Sequence, residues 1–220
     1  NAVGTIVDLA PMIAACHRVG ALVYVDAVHF APHGIIDVRA LDCDFLACSA
    51  YKFCGPHLGI LYGKQALLQS LSAYKVRPSS SVPPGKWETG TQNTEAIAGL
   101  RACLAYLGGL GSAVSADPLS RAALMGGMQR IMVHEQGLSR RFLAGLAAIP
   151  GVRIYGVADP ARVSERTPTF GFTLAGCLPR RASERLSEHG IFVWDGPFYA
   201  QGLIEQFGLA QQGGLIRIGF

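Results

Sequence analysis

Two short apolar runs, residues 21–25 and 45–48, each stop abruptly at polar side chains, and nothing else in the chain constrains the fold as tightly. The first closes on Asp26, with His29 just beyond it. The second closes on Ser49, with Tyr51 and Lys52 following. Runs this short, bounded by polar residues and glycines, predict buried strands of a parallel sheet rather than helices. In open α/β sheets, ligand chemistry lies just past the carboxyl ends of such strands. Asp26 and Lys52 are therefore expected at neighbouring strand ends, in one crevice.

An acid and a lysine in a dry crevice suit pyridoxal 5'-phosphate (PLP). A buried lysine offers a neutral amine that can form a Schiff base with the cofactor's aldehyde. A carboxylate can pair with the protonated pyridine nitrogen and keep the ring an electron sink. From the pair alone, a structural Asp–Lys contact at a sheet edge stands as the alternative.

The surrounding residues narrow this. Asp26 and His29 are followed by Ser49 and Lys52, then Gly55-Pro56 and the run Gly59-Ile60-Leu61-Tyr62-Gly63. Further on comes Trp87-Glu88-Thr89-Gly90-Thr91-Gln92-Asn93. In order and spacing this resembles the cofactor segment of class V aminotransferase-fold PLP enzymes, most closely the cysteine desulfurase-like branch. The resemblance runs over nearly all of residues 1–112 and more loosely to the end. It implies an α/β chain of PLP-dependent transferase fold type I (aspartate aminotransferase-like), incomplete at both ends. The phosphate loop and the ring-stacking residue of the family are expected upstream of Asn1.

The resemblance also implies roles. Lys52 would carry the cofactor, Asp26 would meet its pyridine nitrogen, and Asn1 and His29 would lie near its phenolic oxygen, where His29 could also move a proton. Ser49 would donate to its phosphate; Tyr51, where many desulfurases have His, either donates its phenol there or packs as an aromatic; and Thr91 either reaches the phosphate of a neighbouring subunit, from which a homodimer is expected, or serves as a contact at the start of the next helix. Arg217, within Leu215-Ile216-Arg217-Ile218-Gly219, matches the arginine that holds a substrate α-carboxylate, a task suited to a guanidinium fork. Two departures matter. Trp194 stands where the branch has a second arginine, and Phe198 and Tyr199 stand near the place of its sulfur-accepting cysteine. A desulfurase needs a thiolate there. The expectation is thus a PLP enzyme acting on an amino acid, a transferase or lyase of undecided outcome. A true desulfurase with its acceptor cysteine elsewhere, or a non-catalytic interaction module, are the alternatives.

Half of the 220 residues are hydrophobic and 15% are charged, enough for a sizeable core. The net charge of +4 is spread without a run of Lys or Arg, so no nucleic-acid partner is read from it. No apolar run approaches membrane-span length. The six cysteines contain no CxxC pair, and Cys43, Cys48 and Cys54 near His29, His33 and His57 fit no zinc spacing. Buried thiols in a reducing, cytoplasmic setting are expected instead, with no metal.

Along the chain, Asp8 and Pro11 open a helix that ends before Gly20. A short strand at 60–62 and a helix at 64–71 follow, then an exposed Pro- and Ser-rich loop at 75–86. Asn93 and Thr94 cap a helix over 94–110. A helical pattern over 119–148 is interrupted by Gly126, Gly127 and Gly137. Strands are expected at 152–155, 169–174, 191–194 and 215–219, with a helix at 180–189. The domain reading is a C-terminal part of a large PLP-binding domain over 1–112 and a small α+β domain over 113–220.

Overall fold

The fold is taken from a computed structural model that describes residues 1–111 and 114–220. The chain divides into two compact units, one formed by Asp8–Arg130 and the other by Asn1–Val7 together with Ile131–Phe220. The boundary expected at 112/113 falls on residues outside the described ones.

In the Asp8–Arg130 unit, α1 (Ala10–Arg18) starts with Pro11 in its first turn, and Asp8 Oδ1 accepts the Ala10 N–H at 3.2 Å. Strand β1 (Tyr24–Asp26) pairs parallel with β2 (Phe45–Ser49), with Asp26 opposite Ala47. Strand β3 (Gly59–Gly63) returns antiparallel on the far side of β2, so the sheet order is β1-β2-β3 and the sheet is mixed. Ile13, Val25, Ala27, Cys43 and Leu46 form the core beneath it. Between the first two strands lies a single helical turn, α2 (Val38–Leu41), capped by the Asp37 carboxylate. It is too short to leave a periodic signal in the sequence.

The amino ends of β1 and β2 are held by a buried acid. Asp44 is 4% exposed. Its carboxylate accepts the Val23 N–H at 2.7 Å and meets His17 Nε2 at 2.9 Å and Lys64 Nζ at 3.0 Å. These contacts join α1, the start of β1, the start of β2 and the end of β3. Burial alone would raise the Asp44 pKa; the Val23 N–H, His17 and Lys64 outweigh it and pull it down to about 2.

Helix α3 (Gln65–Ser70) follows. The Lys86 ammonium donates to the carbonyls of Leu68 and Gln69 at 3.2 and 2.7 Å, and Trp87 Nε1 donates to Leu68 at 3.0 Å. A cation at the carbonyl end of a helix is the favourable polarity. The loop before α4 is thus anchored at Lys86, which is buried. Helix α4 (Thr94–Gly109) is capped by Asn93, whose Oδ1 accepts the Ala96 N–H at 3.0 Å. Helix α5 (Arg121–Ala147) is continuous through all three glycines that argue against it in the sequence. Gly127 sits where a Cβ would collide with the Leu107 carbonyl, so the glycine permits close approach of α4 and α5.

The other unit is an antiparallel sheet of order β4-β5-β7-β6, made of Val152–Tyr155, Thr169–Leu174, Leu215–Gly219 and Trp194–Gly196. One face packs on the end of α5 and on α6 (Pro179–Glu188) through Phe142, Leu146, Phe172, Ala182 and Ile216. The other face packs on α7 (Gln201–Gln206) and the N-terminal segment through Ala2, Val3, Tyr155, Ile204 and Leu215. The strand expected at 191–194 begins only at Trp194. The Ile191 N–H is spent on the Leu186 carbonyl, closing α6 past Gly190 at φ +73°, so pairing with β7 starts later. Arg166, 5% exposed, staples the N-terminal segment down. Its guanidinium donates to the carbonyls of Val3, Thr167, Thr169 and Val157 and lies 3.9 Å from the Phe170 ring centroid. Gly4 has φ +81°, and a Cβ there would strike the Thr169 carbonyl, so this crossing requires glycine.

Candidate functional site

Asp26 ends β1, and Ser49 ends the parallel neighbour β2. The chain then enters a 3-10 turn, Ala50–Phe53, that carries Lys52. The turn is tightly closed: Ala50, fully buried, donates its N–H to Leu58 and accepts the Gly55 N–H at 2.8 Å. The acid and the lysine therefore leave adjacent strands at their carboxyl ends, as the apolar runs predict.

Asp26 and Lys52 are both exposed. Among the described residues, β1 is the outer strand of the three-stranded sheet. Asp26 Oδ1 accepts the Val28 N–H at 2.9 Å, a turn that leads the chain into His29. His29 is half-buried, its ring 5.6 Å from that of His33. Tyr51 stacks on His57 at 4.8 Å with an interplanar angle of 11°, and the Lys52 ammonium lies 5.1 Å from the Tyr51 ring centroid. No carboxylate pairs with Lys52 among the described residues. Its amine is held by an aromatic face and stays open to chemistry.

Thr91 is exposed, two residues before the Asn93 cap of α4. Asn1 belongs to the other unit. Its Oδ1 accepts the N–H groups of Val3 and Gly4 at 3.2 and 2.9 Å, and its Nδ2 donates to Thr5 at 2.7 Å. Arg217 lies on β7 directly opposite Trp194 on β6 and Gly171 on β5. Opposed residues of antiparallel strands share a face. The guanidinium packs 4.3 Å from the Phe198 ring centroid, and burial lowers the Arg217 pKa. Phe198 and Tyr199 hold left-handed backbone, φ +53° and +57°, a costly conformation for residues with a Cβ. That bend brings the Phe198 ring against the arginine. Trp194 is 71% exposed.

Sequence reasoning expects Asp26 and Lys52 at neighbouring strand ends, and the structure has Asp26 and Ser49 ending β1 and β2, with Lys52 in the turn that follows. Such reasoning misses the Tyr51–His57 stack and the Phe198 shelf under Arg217. Both depend on turns whose course no periodicity encodes.

A family model described as aminotransferase class V matches residues 1–220. A probable cysteine desulfurase of Streptomyces coelicolor is 31% identical over 221 residues, covering 95% of this chain and 48% of the relative. A cysteine desulfurase of Dickeya dadantii is 32% identical over 222 residues, with the same coverage, 95% and 48%. Among solved structures, a cysteine desulfurase of Escherichia coli is 29% identical with TM-score 0.72, covering 97% of this chain and 50% of that one. The apo cysteine desulfurase of Thermococcus onnurineus matches in fold, with TM-score 0.82 at 24% identity over 100% of this chain and 52% of that one. These structures place the α/β architecture in PLP-dependent transferase fold type I. The chain spans about half the length of the curated relatives it matches.

Proposed function

Since the chain belongs to the class V aminotransferase family, we propose that the whole protein is a PLP-dependent enzyme acting on an amino acid, with Lys52 as the residue that holds the cofactor covalently. The family depends on PLP, which supplies an electron sink for bonds broken at the substrate Cα. One observation carries the reading. Asp26 and the Lys52 turn leave adjacent parallel strands at their carboxyl ends, and the lysine has no carboxylate partner among the described residues. That donor set fits the group: an amine for an aldehyde, a carboxylate for a pyridinium and, half-buried at the end of β2, the Ser49 hydroxyl for a phosphate oxygen.

Each residue then has a task. Asp26 orients the ring and keeps its nitrogen protonated. Ser49 donates its hydroxyl to phosphate, and Tyr51, fixed by its stack on His57, adds a phenolic donor. Asn1 and His29 are assigned to the phenolic oxygen. His29 can also hold or pass a proton. Thr91 is assigned to the phosphate of a second subunit, so the working form is a homodimer. Arg217, its guanidinium 4.3 Å from the Phe198 ring centroid, receives the substrate α-carboxylate. Trp194 offers an indole N–H and a broad apolar wall, which favours an amino acid larger or less polar than cysteine. The domain reading, a part of the large PLP-binding domain followed by a small one, and a cytoplasmic location belong to the same proposal.

Borohydride reduction of the full-length protein loaded with PLP, followed by peptide mapping, tests the assignment. The label is expected on Lys52; a label on another lysine refutes it. The names of the relatives favour a second reading, desulfuration of cysteine. Against it, Phe198 and Tyr199 stand near the place where the cysteine desulfurase-like branch carries its sulfur-accepting cysteine. Sulfide release from cysteine, measured beside amine transfer and Cα-proton exchange over a panel of amino acids, separates the two.

A further inference from the structure

Two free cysteines lie near one another at the Lys52 turn. Cys103, on α4, is 6% exposed, and its thiol donates to the Phe53 carbonyl at 3.0 Å. The next residue is Cys54, which is exposed. A trans peptide puts a carbonyl oxygen roughly 2.8 Å from the following Cα. The Cys103 sulfur is therefore no farther than roughly 6 Å from the Cys54 Cα, so rotation about χ1 can bring the Cys54 sulfur toward it. Burial first, and the neighbouring Cys54 second, push the Cys103 thiol pKa up. Cys54 caps the turn at φ +71°, a conformation that favours glycine, yet a thiol stands there.

We propose that Cys54 and Cys103 are an oxidisable thiol pair, in which a peroxide oxidises Cys54 and Cys103 resolves it into a disulfide beside Lys52. The exposed sulfur reacts first. It attacks the peroxide, the O–O bond breaks, an S–O bond forms, and one water leaves. The Cys103 sulfur then attacks the Cys54 sulfur. The S–S bond forms, the S–O bond breaks, and the departing hydroxide takes the Cys103 proton as a second water. Two thiols lose two electrons, and one peroxide gains them. The pair stands on the geometry of this unit alone and does not depend on what Lys52 binds.

Peptide mapping reads the outcome directly. Trypsin releases peptide 53–64 with Cys54 as its sole cysteine and peptide 102–121 with Cys103 as its sole cysteine. The full-length protein is treated with hydrogen peroxide, alkylated and digested without reductant. The two peptides are expected as one linked species lacking two hydrogens, from protein that still runs as a single chain on a non-reducing gel; a thiol reductant should separate them. Cys54 stopping as sulfinic acid, or bridging two chains, with Cys103 still open to alkylation after unfolding, overturns the proposal. In Cys54→Ser, an exposed change that spares the core, Cys103 is expected to stay reduced under the same dose. Equally fast oxidation of Cys103 in that variant also overturns it.

Discussion

Replacing Asp44 with asparagine removes one negative charge while keeping the shape of the side chain. The carboxylate is almost fully enclosed and takes the Val23 N–H, His17 and Lys64 together. Its pKa of about 2, against an ordinary 3.8, corresponds to about 2 kcal/mol of preference for the charged form in the folded state. The asparagine can still accept from Val23 through the oxygen that also meets His17, but it then turns an amide N–H2 toward Lys64. Breaking a buried charge contact from one side adds to the loss, so a total of about 2–4 kcal/mol is expected. The pH dependence carries the argument. A carboxyl whose folded pKa is depressed stabilises the fold above its unfolded pKa, and that contribution is lost as pH falls through the folded value. The gap between wild type and Asp44→Asn should be full at pH 5–7 and shrink steadily as pH falls from 3.8 toward 2. Urea titrations followed by circular dichroism at several pH values measure it. A gap that is constant from pH 6 to pH 2.5, or below roughly 0.5 kcal/mol throughout, would refute the reasoning.

Lys52→Ala should abolish borohydride labelling while shifting the urea midpoint little, since the side chain is exposed. Arg217→Lys keeps the charge but loses the fork; KM for the amino-acid substrate should rise roughly 10–100-fold, in line with about 1.5–3 kcal/mol for a hydrogen bond to a charged group. Unchanged KM would remove Arg217 from the carboxylate site. Arg166→Leu leaves the carbonyls of Val3, Thr167, Thr169 and Val157 without their guanidinium donor and should cost at least about 3 kcal/mol in urea unfolding. Light scattering of the full-length protein with PLP bound should give a dimer; a monomer at micromolar concentration would count against the role given to Thr91.

What the sequence by itself determined is local. Strands β4, β5 and β7 begin and end where their β-branched and aromatic runs do, and Asn93 marks the start of α4 by its own side-chain bond. The chemistry of Asp26 and Lys52 was legible because a strand carries its last residues to one end of the sheet, whatever surrounds it. Tertiary structure decided the rest. Whether Gly127 breaks a helix or admits a neighbour depends on α4 lying against it. The start of β6 depends on where α6 spends the Ile191 N–H. Asp44, Arg166 and the Phe198 shelf under Arg217 read as ordinary charged or aromatic residues until distant segments close over them. Charge burial and close approach are properties of pairs far apart in the chain, and periodicity reports only on near neighbours.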